Sequence, residues 1–320
     1  MPTFTAGSRL SDLSFTDPQH DQGWNHVVVP AGSAGPDAEL PSASRDLKVD
    51  VVGAGRSRGL EEWVTETSST SLLVLEGRLD GGAVVHEWYA NGLDAGTLFL
   101  GASMTKSVLA HLVGRAVRTG ALAFTDAVTG HVPELAGTGY DGTTVLDVIT
   151  MTAGVDWVED HRDPDSLASR LLGCFATGGD SRALLRVVRP GVPPGTRFGY
   201  CTADSQVLDW VRERATGLTY ADDVARLWQA LGSSSAAVFA VDGSGVALAG
   251  GGLAATGPAW PGWRWTGPVT AASSCSTPTG STPPRGRRTR SSRSGDCPAP
   301  SPRTPASATT GGRRTTPAAG

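Results

Sequence analysis

Two residues with complementary chemistry stand three positions apart in Ser103-Met104-Thr105-Lys106. At helical spacing a serine hydroxyl and a lysine amine three residues apart share one face, close enough to exchange a proton. Serine is a weak nucleophile unless a neighbouring group accepts or orients its proton, and an amine can do this. Arginine cannot, because its guanidinium stays charged. The distinction matters here, since Lys48 and Lys106 are the only two lysines among 27 basic residues. A serine at a helix start is also a common cap, and a lysine one turn later a common solvated residue. The tetrad alone leaves both readings open.

The elements that must position this pair can be read from periodicity. From Ser103 to Thr119 apolar residues recur at Val108, Leu109, Leu112, Val113, Ala116 and Val117, with Gly120 where a C-terminal cap falls. This predicts an amphipathic helix. Before it, Leu72 to Leu75 and Ala83 to Tyr89 are β-type runs around a Gly-rich loop, which predicts a hairpin that opens an antiparallel sheet. After it, helical stretches at Val145 to Met151, Ser166 to Leu172, Ser181 to Val188, Asp204 to Ala215 and Tyr220 to Leu231 predict a helical subdomain. Ala236 to Ala240 and Val246 to Ala249 predict a second hairpin returning to the sheet. Residues 1–60 are rich in Gly, Pro, Asp and Ser around one apolar run, Val27-Val28-Val29, and are expected to be a mostly irregular lead-in. The ordered domain is expected over 61–256.

Beyond Leu253 the sequence has no Leu, Ile, Met, Lys or Glu, and 11 of the 21 prolines follow Thr256. Such a segment cannot offset its ordering entropy by burial, so 257–320 is expected to be a disordered tail. Trp260, Trp263 and Trp265 are odd for a linker. Tryptophan has one codon, and moving the frame by two bases turns Trp260 to Thr266 into an apolar, helix-like string. The expectation is a change of reading frame near Thr256.

Further segments match a known family in order. Thr144 to Val155, ending Thr150-Met151-Thr152-Ala153-Gly154-Val155, resembles the Leu-Leu-Thr-x-Thr-Ser-Gly segment of class C beta-lactamase-like, penicillin-recognising serine hydrolases, with alanine in place of the usual serine. Pro194-Gly195-Thr196-Arg197-Phe198-Gly199-Tyr200-Cys201-Thr202 resembles the Pro-Gly-x-x-Phe-x-Tyr-x-Asn/Ser segment of that family. The Thr-Met-Thr-Ala-Gly-Val-Asp-Trp string and Tyr200-Cys201-Thr202 look most like its 6-aminohexanoate-dimer hydrolase branch. The resemblance implies an α+β, beta-lactamase/transpeptidase-like fold, an antiparallel sheet flanked by helices with a helical subdomain. It implies that Ser103 attacks a carbonyl, Lys106 activates it, and Tyr200 carries the proton to the leaving group. Thr202 stands at a substrate-contacting position, although the family more often has Asn there.

The implied reaction is hydrolysis of a small-molecule amide or ester through an acyl-enzyme, without a cofactor. The family's third element, a Lys-Thr-Gly or His-x-Gly segment on a strand after the second hairpin, has no match after Gly252. That strand supplies one oxyanion-hole N–H, so the C-terminal part of the sheet is expected to be missing and activity impaired. A non-catalytic or beta-lactam-binding degenerate member is the alternative.

Charge narrows the partners. Residues 257–320 hold nine Arg and one Asp, leaving a body of 18 basic and 30 acidic residues. An acidic body offers no nucleic-acid footprint. No signal-peptide pattern or membrane-length apolar run is present, so a cytoplasmic, membrane-free protein is expected. Composition says nothing of oligomeric state. Cys174, Cys201, Cys275 and Cys297 show no metal or disulfide spacing. Gly53-Ala54-Gly55-Arg56-Ser57-Arg58-Gly59 resembles a dinucleotide turn, but its third glycine is one position late.

Overall fold

The computed structural model describes residues 25–32, 42–45, 47, 50–53, 55–78 and 81–259. The elements run β1 (His26–Val29), β2 (Asp50–Gly53), β3 (Arg56–Gly59), α1 (Leu60–Glu66), β4 (Ser71–Arg78), β5 (Gly81–Tyr89) and β6 (Leu98–Leu100). A 3-10 turn, Ala102–Met104, leads into α2 (Thr105–Arg118). Then come α3 (Val128–His131), α4 (Val145–Ile149), β7 (Val155–Asp156), α5 (Leu167–Thr177), α6 (Ser181–Leu185) and β8 (Arg189–Pro190). The last are α7 (Thr202–Thr216), α8 (Tyr220–Leu231), β9 (Ala237–Ala240) and β10 (Leu253–Thr256).

Four strands form one antiparallel sheet in the order β1-β9-β10-β6. β10 sits inside it and is buried at every residue, Leu253 to Thr256, as a small-residue strand between two neighbours must be. Its partner β6 runs straight into the turn that carries Ser103, and Gly101 N donates to Leu253 O at 2.8 Å. The expected hairpin forms as β4 and β5, paired from Ser71↔Tyr89 to Arg78↔Gly81 with one irregularity at Val74/Leu75. It is a separate two-stranded sheet, linked to the larger one by side chains: Tyr89 stacks on Phe99 of β6 at 6.1 Å. Together with the helices this is the expected α+β, beta-lactamase/transpeptidase-like arrangement.

Helix α2 buries the face that its periodicity marks, Val108, Leu109, Leu112, Val113 and Ala116, and ends at Gly120 with φ of +75°. It packs against α7, where every residue from Thr202 to Arg212 is buried. A helix buried all round that carries Asp204, Gln206, Asp209 and Arg212 must satisfy those groups internally. Tyr140 Oη donates to Asp204 at 3.0 Å, Arg212 bonds Asp209 and Asp223, and Gln206 bonds the loop before β10.

Two expectations change. The lead-in contains strands: Val27-Val28-Val29 lies in β1 and pairs with β9, and β2 pairs with β3. The apolar run is worth burying at a sheet edge, and Val29 is fully buried there. The second hairpin does not form, because β9 pairs with β10 through Leu253↔Phe239 and Ala254↔Val238. Residues 246–249 keep one bridge, Val241↔Ala247, since Asp242 accepts from Ser244 N and Val246 N and holds the chain in a turn. Gly257–Ala259, the first residues of the expected tail, form a 3-10 turn with Gly257 and Ala259 buried; the rest of the tail, the frame change, and the cysteines at 275 and 297 lie outside the described residues. Cys174 and Cys201 are free thiols. No described helix is long and apolar enough to cross a membrane.

Candidate active site

Ser103 enters the site on a strained turn. Ala102, just before it, has φ of +41°, a left-handed conformation that L-residues rarely adopt outside functional turns. Ser103 is exposed, whereas Thr105 two residues on is fully buried and accepts from Leu253 N at 3.2 Å through its Oγ1. That bond ties the first turn of α2 to β10. The sheet therefore fixes where the serine stands.

Lys106 Nζ reaches three oxygens: Ser103 Oγ at 3.2 Å, Thr202 Oγ1 at 3.3 Å and the Gly250 carbonyl at 2.6 Å. The spacing of the tetrad thus yields the expected contact. Tyr200 meets the cluster through its ring, with Nζ 5.2 Å from the ring centroid, a cation-π distance. Tyr200 itself is 43% exposed. Thr202 is only 7% exposed and faces Lys106, so the structure brings it to the amine.

The loop that carries Tyr200 is stitched to the segment that follows α4. Gly154 O accepts from Gly191 N and Val192 N, Thr152 O from Gly195 N, and Met151 O from Gly199 N. Glycine is required at 154: its φ is +73°, and a Cβ there would stand 2.2 Å from Val192 O. The Thr152-Ala153-Gly154 and Pro194-to-Tyr200 segments are thus two sides of one scaffold.

Three contributors were missed from sequence. Gly250 supplies the carbonyl that holds Lys106, and Gln206 fixes it: Gln206 donates to Ala247 O at 2.9 Å and accepts from Gly250 N at 3.0 Å. Glu159, in the loop after β7, takes a hydrogen bond from the Thr202 hydroxyl and another from Thr202 N at 2.9 Å. Trp157 Nε1 at 2.6 Å and His161 Nε2 at 3.2 Å also lie against it. Partial burial pushes the Glu159 carboxyl up, but the donations from Thr202 and Trp157 and the neighbouring His161 outweigh it, and the net shift is downward. Cys201, the N-cap of α7, gives no side-chain cap, so Glu159 takes that place from another loop. Nothing in local spacing signals such a partner. Among the described residues no three His, Cys, Asp or Glu side chains are grouped to hold a metal ion.

A family model described as Beta-lactamase matches residues 75–296. A 6-aminohexanoate-dimer hydrolase of Paenarthrobacter ureafaciens is 34% identical over 218 residues, covering 63% of this chain and 53% of that protein. The chain therefore spans about half the length of this curated relative. Among solved structures, a Bacillus anthracis protein provisionally described as a 6-aminohexanoate-dimer hydrolase superposes with a TM-score of 0.63 at 19% identity, over 73% of this chain and 63% of that one. A class C beta-lactamase gives a TM-score of 0.38 at 19% identity, over 50% of this chain and 43% of that one.

Proposed function

This chain belongs to the beta-lactamase family, and from that premise we propose that it is a serine hydrolase of the 6-aminohexanoate-dimer hydrolase type, cleaving a small amide or ester through an acyl-enzyme on Ser103. The observation that carries the reading is the 3.2 Å contact from Lys106 Nζ to an exposed Ser103 Oγ, with the amine anchored on its far side by Gly250 O. In the proposed reaction Ser103 Oγ attacks the carbonyl while its proton passes to Lys106. Tyr200, open to solvent beside the amine, delivers a proton to the departing amine or alcohol, and water then releases the acyl group.

Slow turnover is part of the proposal, since no Lys-Thr-Gly or His-x-Gly segment follows Gly252 in this sequence. Lack of one oxyanion donor typically costs about 100- to 1000-fold in rate. The test is labelling of the purified chain with a fluorophosphonate or a labelled penicillin, read by intact mass beside Ser103→Ala. A single adduct lost in the variant, with slow deacylation of the penicilloyl form, is the expected result. A penicilloyl adduct that never turns over marks the second reading, a beta-lactam-binding member without catalysis; the phosphonyl adduct is stable in either case and reports only the nucleophile. Equal labelling of both proteins removes Ser103 from the mechanism.

A further inference from the structure

We propose that Glu159 is a positioning residue that acts through Thr202 to fix the direction from which Lys106 meets Ser103. The catalytic meaning of this inference rests on the reading of Ser103 as nucleophile; the geometry itself does not.

Protons and lone pairs at three side chains set the arrangement. Glu159, with its pKa held down, is an acceptor only. The Thr202 hydroxyl has one proton, and that proton is committed to Glu159 Oε1. Its oxygen can then only accept from Lys106 Nζ, 3.3 Å away. The Gly250 carbonyl, at 2.6 Å from Nζ, is likewise only an acceptor, and Gln206 keeps it in place through the Gly250 N–H. A neutral amine has two N–H bonds and one lone pair. In the neutral form that the proposed reaction requires, both N–H bonds are drawn to Thr202 Oγ1 and Gly250 O and the lone pair is left facing Ser103 Oγ, 3.2 Å away. If the Thr202 hydroxyl were free to turn, it could instead donate to that lone pair and block it. Glu159 forbids the turn.

The same arrangement serves the proton transfer. As the serine adds to a carbonyl, its O–H bonding pair becomes the new O–C bond and the carbonyl π pair moves onto the carbonyl oxygen. The proton goes to Nζ. The ammonium so formed has three N–H bonds, and three acceptors already surround it. No side chain has to rotate between the two states, which is the benefit of a preorganised site. Burial of Thr202 fits this role.

The chain offers an unusually clean readout, because Lys48 and Lys106 are its only lysines. Labelling with 15N-lysine gives two Nζ signals, and Lys48→Arg leaves Lys106 alone. In mildly acidic buffer, where exchange with water is slow enough to follow, the exchange of its ammonium protons reports how firmly they are held. Thr202→Val removes the hydroxyl but keeps the backbone N–H that Glu159 caps, so it separates positioning from helix stability. It is expected to speed exchange about tenfold, the scale of one lost charge-assisted hydrogen bond, while Thr202→Ser stays close to the parent. Glu159→Gln, which replaces one acceptor oxygen by a donor, is expected to move exchange in the same direction.

Fluorophosphonate labelling of the same proteins distinguishes the two ideas. A parent that labels, with Thr202→Val slowed about tenfold and Thr202→Ser unaffected, supports both. A parent that does not label while exchange responds as described refutes the hydrolase reading and leaves the positioning role standing. Unchanged exchange in both Thr202→Val and Glu159→Gln, with thermal midpoints equal to the parent, overturns the inference whatever the labelling shows.

Discussion

Ser103 Oγ lies 3.2 Å from Lys106 Nζ, and the proton capacity of the amine decides which substitutions the site tolerates. Lys106→Arg keeps a long side chain with N–H donors for Gly250 O and Thr202 Oγ1, so the packing around β10 has donors for its acceptors. It removes the group proposed to take the proton from the serine, because a guanidinium stays charged. Labelling of Ser103 is expected to slow by about 100-fold or more, the usual contribution of a positioned base, with a thermal midpoint close to the parent's. The pseudo-first-order labelling rate measures this, and an undiminished rate would reduce Lys106 to a structural donor. At this scale the sequence was legible only where contacts are local. Ser103 and Lys106 announce themselves by spacing, and Tyr200 and Thr202 by their place in a family segment. Glu159 reaches Thr202 across 43 residues and Gly250 reaches Lys106 across 144, distances over which a single sequence carries no pattern.

Elements hold these residues in place through backbone approaches that admit no side chain. Gly154 is the clearest case, with a left-handed φ and Val192 O where its Cβ would go. Gly178, the left-handed cap of α5, has the same backbone need, with φ of +77°, but nothing within 4 Å of its would-be Cβ. The two positions separate strain from collision. Gly178→Ala is expected to cost about 1 kcal/mol, and Gly154→Ala about 2–4 kcal/mol, with Ser103 labelling slowed because the Tyr200 loop shifts. Urea unfolding of the two variants gives the comparison, and equal costs would mean that the 152–154 and 191–199 segments yield easily. Periodicity exposed α2 and α8 well, since each has one wet face. It placed the start of α7 two residues late because the cap comes from Glu159, and it missed β10 because Leu253-Ala254-Ala255-Thr256, buried at all four positions, shows no alternation.

At the scale of the whole fold, the buried helix α7 carries a pH dependence. Asp204 is 1% exposed, and burial lifts its carboxyl from the ordinary 3.8 to about 7, helped by the Glu159 charge and opposed by hydrogen bonds from Cys201 and Tyr140. Between pH 4 and 7 the folded chain therefore keeps a proton that the unfolded chain has lost. A carboxyl raised in this way contributes its stability fully below the unfolded value and loses it as pH rises through the folded one. The slope is about 1.4 kcal/mol per pH unit for one group, so the cost of Asp204 at pH 8 approaches about 4 kcal/mol. Asp204→Asn removes the titration but keeps an oxygen to accept from Tyr140 Oη, which donates to Asp204 Oδ1 at 3.0 Å. The variant is expected to be close to the parent in stability at pH 5 and more stable than it at pH 8, with the difference between the two curves growing across that interval. Urea unfolding at one-unit steps from pH 5 to 8 measures it. Parallel curves would show that Asp204 ionises at its ordinary value despite its burial, and that water reaches the Tyr140 side of α7.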